Sequence, residues 1–211
     1  MIKYIIILLL LVACNKTPLI KKEMIVNNTT PIRKDIKKSK PEFKLVVEFF
    51  EETFPTVRYD YEVMNPATWE AVYKELNSSL MFAEYIGIIC QESRGESGID
   101  IYESGGDTYN ISQVGIKAVK DAVGREYKHS DWIRAKHDGA YNALLGAIYY
   151  KLLYTRYNVG GIYRAKYCYN RGIGHRFASY ADVVNFPYVK KTNKWTEKYL
   201  EFIKEKNHGR I

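Results

Sequence analysis

Between Ser79 and Ser93 the chain reads SLMFAEYIGIICQES, apolar around almost the whole circumference of a helix. A helix with one apolar stripe lies on a core, whereas one that is apolar all round runs through it. The neighbouring segments must therefore wrap this one. With 211 residues, 46% of them apolar, the chain can bury a single core and still carry appendages. FKLVVEFFEETF carries a broad apolar face and ends before Pro55. PATWEAVYKEL follows, with Asn65 placed as N-cap and Pro66 as first helical residue. SQVGIKAVKDAV reads as a short amphipathic helix, DGAYNALLGAIYYKLLYTRY as the longest, GIYRAKYCYNRG as one that stops at Gly172, and WTEKYLEFIKEK as the last. Strand signals are confined to VRYDYEV and part of the Gly-rich loop after Ser93, so the predicted fold is mainly α.

The N-terminus carries a different message. Lys3 precedes an apolar run from Ile5 to Val12, shorter than the ~20 residues a bilayer span needs, and Leu11-Val12-Ala13-Cys14 closes it. That tetrapeptide resembles a bacterial lipobox, which implies removal of residues 1–13 as a signal peptide and lipidation of Cys14. Asn15 is not the aspartate that retains lipoproteins in the inner membrane of enteric bacteria. The expected location is thus the cell envelope, lipid-anchored in the outer membrane and facing the periplasm. Residues 14–41 are rich in Lys, Asn, Thr and Pro without an apolar period, and read as a flexible basic tether to a domain over residues 42–211. The net charge of +8 suits contact with an anionic polymer or surface, and by itself does not choose among nucleic acid, phospholipid and cell wall.

Glu92 ends the apolar helix. A carboxyl placed there loses hydration in its charged form, which favours the protonated acid and makes Glu92 a candidate proton donor. The alternative is an exposed residue at a helix end, and the glutamate alone does not choose. His129, His137, His175 and His208 share no ligand spacing, and no aspartate cluster follows a calcium-loop pattern, so no metal and no cofactor are expected.

Further segments follow in order: Glu92-Ser93, Gln113 beyond the loop, NALLGAIYY from Asn142, Cys168-Tyr169-Asn170-Arg171-Gly172, and Tyr188-Val189-Lys190-Lys191. The series resembles the catalytic domain of soluble-type lytic transglycosylases, in the lysozyme-like superfamily, over Leu80–Lys191. That family has an apolar helix ending in Glu-Ser, then GLMQ, N-x-x-x-G-x-x-Y-L, AYNAG and YV-x-K. Departures are Asn110 for the family's glycine, Ser112 for its methionine and Gly115 for its proline. They are expected to touch the wall of the sugar cleft rather than the acid.

The resemblance implies a lysozyme-like fold with little β structure and cleavage of the β-1,4 bond between N-acetylmuramic acid and N-acetylglucosamine. Glu92 would be the catalytic acid and base. Ser93, Gln113, Tyr169, Asn170 and Tyr188 would bind and position substrate. The implied partners are peptidoglycan strands and, through the lipid, the membrane; no nucleic acid is expected, and the protein is expected to be a monomer. Two alternatives stay open. A hydrolysing muramidase of the goose-lysozyme sort would need a second carboxylate, from Asp100, Glu103 or Asp107. A non-catalytic peptidoglycan-binding lipoprotein would keep the fold alone. Tyr109, in the loop, is a further candidate for the cleft. Because the family brings the segments of Cys90 and Cys168 together, a disulfide between them is allowed in an exported protein, the alternative being two small buried residues. The break in composition near Pro41 predicts that a chain starting near Lys40 stays folded and soluble while the full-length protein partitions into detergent. Phase-partition assays with circular dichroism check this, and loss of the folded domain on truncation would refute the tether.

Overall fold

A computed structural model describes residues 41–59, 61–96 and 108–208. The signal segment, Cys14, the tether to residue 40 and the acids Asp100, Glu103 and Asp107 lie outside the described residues. The chain is mainly helical, as its periodicity predicts. In order come α1 (Phe43–Thr53), α2 (Pro66–Leu76), α3 (Ser79–Glu92), β1 (Thr108–Tyr109), β2 (Val114–Gly115), α4 (Ile116–Val123), α5 (His129–His137), α6 (Gly139–Thr155), α7 (Ile162–Arg171), α8 (Tyr180–Asn185) and α9 (Pro187–His208). The two short strands pair antiparallel, Thr108 opposite Gly115 and Tyr109 opposite Val114.

Helix α3 is the axis of the domain. Every residue from Met81 to Cys90 is buried. The Ser78 hydroxyl starts the helix by accepting from the Met81 amide at 3.2 Å. Asn65 does the same for α2, accepting from Ala67 at 3.0 Å with Pro66 at the first position, as the sequence indicates. Aromatic side chains of α1, α2 and α9 close one side of the core, Phe50 against Trp69 at 5.4 Å and Phe49 against Tyr199 at 5.1 Å. A second, smaller cluster around Val114, Val119, Trp132 and Leu145 lies under α4 and α5.

Five segments differ from the sequence reading. VRYDYEV forms no strand among its described residues. Its carbonyls bond side chains instead, Val63 accepting from the Trp69 indole at 2.9 Å and Glu62 from the Thr68 hydroxyl. The helix expected from Ser112 starts at Ile116, because Ser112 and Gln113 belong to a turn. The last helix starts at Pro187, well before Trp195; the lysines at 190, 191 and 194 obscure its period. Helices α5 and α8 carry so few apolar residues that the pattern does not announce them, only Trp132 and Ala135 being buried on α5 and Val183 on α8.

Helix α9 runs antiparallel to α3 and touches it closely at Gly87. A Cβ there would sit 2.3 Å from the Thr196 hydroxyl and 2.6 Å from the Thr192 carbonyl oxygen. Beside this contact a fully buried ion pair joins Lys166 of α7 to Glu84 of α3. The Lys166 ammonium also donates to Asn193 at 2.7 Å and to Thr196 at 3.2 Å, both on α9, and Thr196 donates to Glu84 at 3.2 Å. Removing one member of a buried pair strands the other charge, whereas replacing both with apolar groups of similar size is far cheaper. Lys166→Met is therefore expected to cost about 3–5 kcal/mol in urea denaturation. The double variant Glu84→Leu/Lys166→Met should recover most of it; equal losses in both would refute a paired role.

Candidate functional site

Glu92 is the last residue of α3, and the chain leaves the helix there through Arg94 and Gly95, both with positive φ (59° and 79°). A side chain on Gly95 would meet the Phe50 ring at 2.9 Å in a backbone conformation L residues rarely adopt. The tight exit leaves the Glu92 carboxylate half-buried at the rim of the core. The phenol of Tyr188, in the first turn of α9, donates to Glu92 Oε1. Burial raises the pKa of Tyr188, and the charge of Glu92 and the hydrogen bond to it raise it further. This phenol thus remains a neutral donor.

The turn Asn110–Gln113 faces Glu92 across the opening. Asn110 and Gln113 have φ of 63° and 47°, a left-handed conformation that asparagine tolerates better than most residues. Asn142 of α6 holds this turn with its whole amide. Its Oδ1 accepts from Ser112 N at 2.8 Å, and its Nδ2 donates to the carbonyls of Tyr109 at 3.0 Å and Ala135 at 2.9 Å. One turn along α6, Gly146 leaves room for the same loop to approach. A Cβ there would lie 2.3 Å from the Tyr85 hydroxyl and 2.6 Å from Ser112 Cβ. The spacing N-x-x-x-G is therefore a mould for the turn.

Gln113 is fixed at both ends of its amide, Nε2 donating to the Asn110 carbonyl at 2.6 Å and Oε1 accepting from Thr108 at 3.2 Å. Tyr169, in the last turn of α7, donates to the Ser112 carbonyl at 3.0 Å and packs its ring 5.7 Å from that of Tyr149. Burial raises the pKa of Tyr169 well above the usual phenol range, and that of Tyr85, which bonds Ser112 Oγ at 2.7 Å, also rises for the same reason. Asn170, the next residue of α7, is exposed.

Two adjoining cavities open here. One, of about 290 Å³, is lined by Glu92, Gln91, Tyr188, Gln113, Tyr169, Asn170 and Thr108. The other, of about 240 Å³, shares Thr108, Gln113, Tyr169 and Asn170 and continues past Gly115, Lys117 and Arg171. Four common wall residues make them one groove. Glu92 is its only acid among the described residues.

Of the residues singled out in the sequence, Glu92, Gln113, Tyr169, Asn170 and Tyr188 meet around this groove. Ser93 does not. It is buried, and its hydroxyl donates to the Ile111 carbonyl at 2.6 Å and accepts from Gly95 N at 3.1 Å, tying the helix exit to the turn. Tyr109 is likewise outside the groove, buried against Trp132 at 5.3 Å with the Lys136 ammonium over its ring. Asn110 and Ser112 are buried rather than in the cleft wall, so of the three departures only Gly115 lines the groove. Cys90 and Cys168 are buried free thiols, not a disulfide. Cys90 lies toward Tyr59 and Tyr199, Cys168 toward Tyr149 and Arg164, so the two face different neighbours. Burial pushes both thiols up. Sequence reasoning missed Gln91 and Thr108, which carry no signal beyond adjacency to Glu92 and to the loop. It also missed the task of Tyr85, one apolar-looking residue in an apolar helix.

Comparisons with protein-family models, with curated proteins and with solved structures find no match.

The mould predicts a sharp contrast between two glycines. Gly146→Ala should lower stability by about 3 kcal/mol, at the upper end for overpacking. Gly174→Ala, where an added Cβ meets nothing within 4 Å, should stay within about 0.5 kcal/mol. Urea denaturation of both variants checks this, and a neutral Gly146→Ala would mean that the turn is not held against α6.

Proposed function

We propose that the protein is a peptidoglycan lytic transglycosylase with a lysozyme-like fold, anchored to the cell envelope by lipid on Cys14. The observation that carries this reading is the position of Glu92: the single acid of the described groove wall, held at the end of a buried helix by a tyrosine from the last helix. The ordered segments that resemble the family converge on that carboxylate. Asn110 supports the reading too, since it stands where the family has glycine and adopts a positive φ.

In this mechanism Glu92 delivers its proton to the glycosidic oxygen as the bond from the muramoyl anomeric carbon breaks, and N-acetylglucosamine leaves as the alcohol. The resulting carboxylate then takes the proton of the muramoyl 6-hydroxyl while that oxygen bonds to the anomeric carbon. A 1,6-anhydro ring forms and Glu92 regains its proton. No second protein carboxylate is required, in contrast to the two-carboxylate glycosidases. Tyr188 orients the acid without adding a charge. Gln113 and Asn170 present amides to sugar hydroxyls and acetamido groups, and fixing reacting atoms in this way supplies much of a rate enhancement.

The product decides. Digestion of purified peptidoglycan by the full-length protein should release muropeptides ending in 1,6-anhydro-muramic acid, lighter by one water than reducing-end fragments. Glu92→Gln should reduce release by at least about 10³-fold and Tyr188→Phe by about 10-fold to 100-fold, in the range for general acid–base groups and their positioning. Asp100→Asn and Glu103→Gln should retain most activity. Reducing ends with dependence on a loop acid would transfer the assignment to a hydrolase, and sacculi bound but uncut would transfer it to a binding protein.

A further inference from the structure

Charge is segregated along the groove. Around Glu92 the described wall carries no cation. In the adjoining half it carries Lys117 and Arg171 and no acid. Lys117 stands in the first turn of α4 and Arg171 at the end of α7, so two elements bring their cations to one cavity. Both side chains are exposed, and neither forms an ion pair among the described residues. Arg171 lies 5.9 Å from the Phe186 ring, a contact that brings no opposite charge. The nearest acid along α4, Asp121, stands one turn after Lys117 beside Tyr157 and Tyr149, the latter a wall residue of the same cavity, without itself lining it.

Two cations with no ion pair among the described residues, beside an open cavity, favour a ligand carrying a carboxylate at that distance from the acid. Resting on the transglycosylase reading, we infer that the Lys117–Arg171 half of the groove is a subsite for a carboxylate on the muramoyl side branch. The sugar backbone of peptidoglycan is otherwise neutral. Its anionic groups hang from the muramoyl residue, as carboxylates of the stem peptide or, where the peptide has been removed, as the lactyl carboxylate. A muramoyl unit with its scissile bond at Glu92 therefore reaches the basic half with its branch. The subsite selects substituted strands over plain chitin-like oligomers and sets the register of cutting. Arg171 stands where the AYNAG segment of the resembling family has alanine.

The test reads binding without turnover, in the full-length Glu92→Gln protein in detergent micelles. Three soluble probes are titrated by calorimetry: glycan oligomers carrying stem peptides, the same oligomers stripped of peptide, and an N-acetylglucosamine oligomer of equal length. Adding Lys117→Gln and Arg171→Gln neutralises two exposed side chains and is expected to weaken the peptide-bearing oligomer about tenfold, as two partly solvated charge contacts allow. The N-acetylglucosamine oligomer should change less than twofold. An equal loss on the stripped oligomer identifies the lactyl carboxylate as the group held; no loss there identifies the peptide carboxylates. Equal weakening of all three probes, or no weakening of either anionic one, would overturn the subsite. Since turnover is not read, an unmutated protein that fails to cut sacculi would remove the enzyme reading while leaving this result standing.

Discussion

The buried pair between Glu84 and Lys166 fixes the frame on which the groove is built. It ties α3 to α7 directly and both to α9 through Thr196 and Asn193. Those three helices carry Glu92, Tyr169 with Asn170, and Tyr188. Eight residues separate Glu84 from Glu92 and Thr196 from Tyr188, two antiparallel lengths of ~12 Å at 1.5 Å per residue. Lys166 lies one helical turn before Asn170. A contact that fixes the helices at Glu84 therefore fixes the ends that meet at the groove. The close approach at Gly87 sets the same register, since any residue with a side chain brought to that point would meet Thr192 and Thr196.

The turn opposite Glu92 is held by a different chemistry. Asn142, Ser112, Tyr85 and Tyr169 form a hydrogen-bonded network in which the loop backbone is the partner of most side chains. Such an arrangement can hold residues at positive φ, where an isolated turn would relax. Gln113 owes its place to that network rather than to a strand or helix of its own. The close approach it needs is possible only because position 146 has no side chain.

Much of this was legible in the sequence, and what was not has definite causes. The all-apolar α3 and the capped α2 followed from periodicity and from Asn65-Pro66, because local signals and tertiary packing agree there. The convergence of Glu92, Gln113, Tyr169, Asn170 and Tyr188 followed from a series of short segments, although no periodicity could say how they meet. Ser93 lies off the groove, and a serine after the acid gives no hint in sequence whether its hydroxyl faces the groove or the turn. Tyr109 lies off the groove as well, since a hairpin of two residues per strand reverses the face of a side chain with a shift of one position. Helix α5 was missed because a helix that buries only Trp132 and Ala135 lacks the stripe that periodicity detects.

The tyrosines explain why the two halves of the groove differ in charge. An opposite charge within ~4–6 Å of a carboxyl favours its ionised form, so a lysine or arginine beside a proton donor would leave less of it protonated before substrate binds. Tyr85, Tyr169 and Tyr188 surround this end of the groove with phenols whose pKa values burial raises, and Glu92 raises those of all three. They supply direction and donors without positive charge. The cations stand in the other half, where, on the proposed reading, a substrate branch rather than the reacting bond would meet them. On that reading one groove can address the neutral and the anionic parts of the same polymer, because the tyrosines beside the acid and the two cations are kept on different walls.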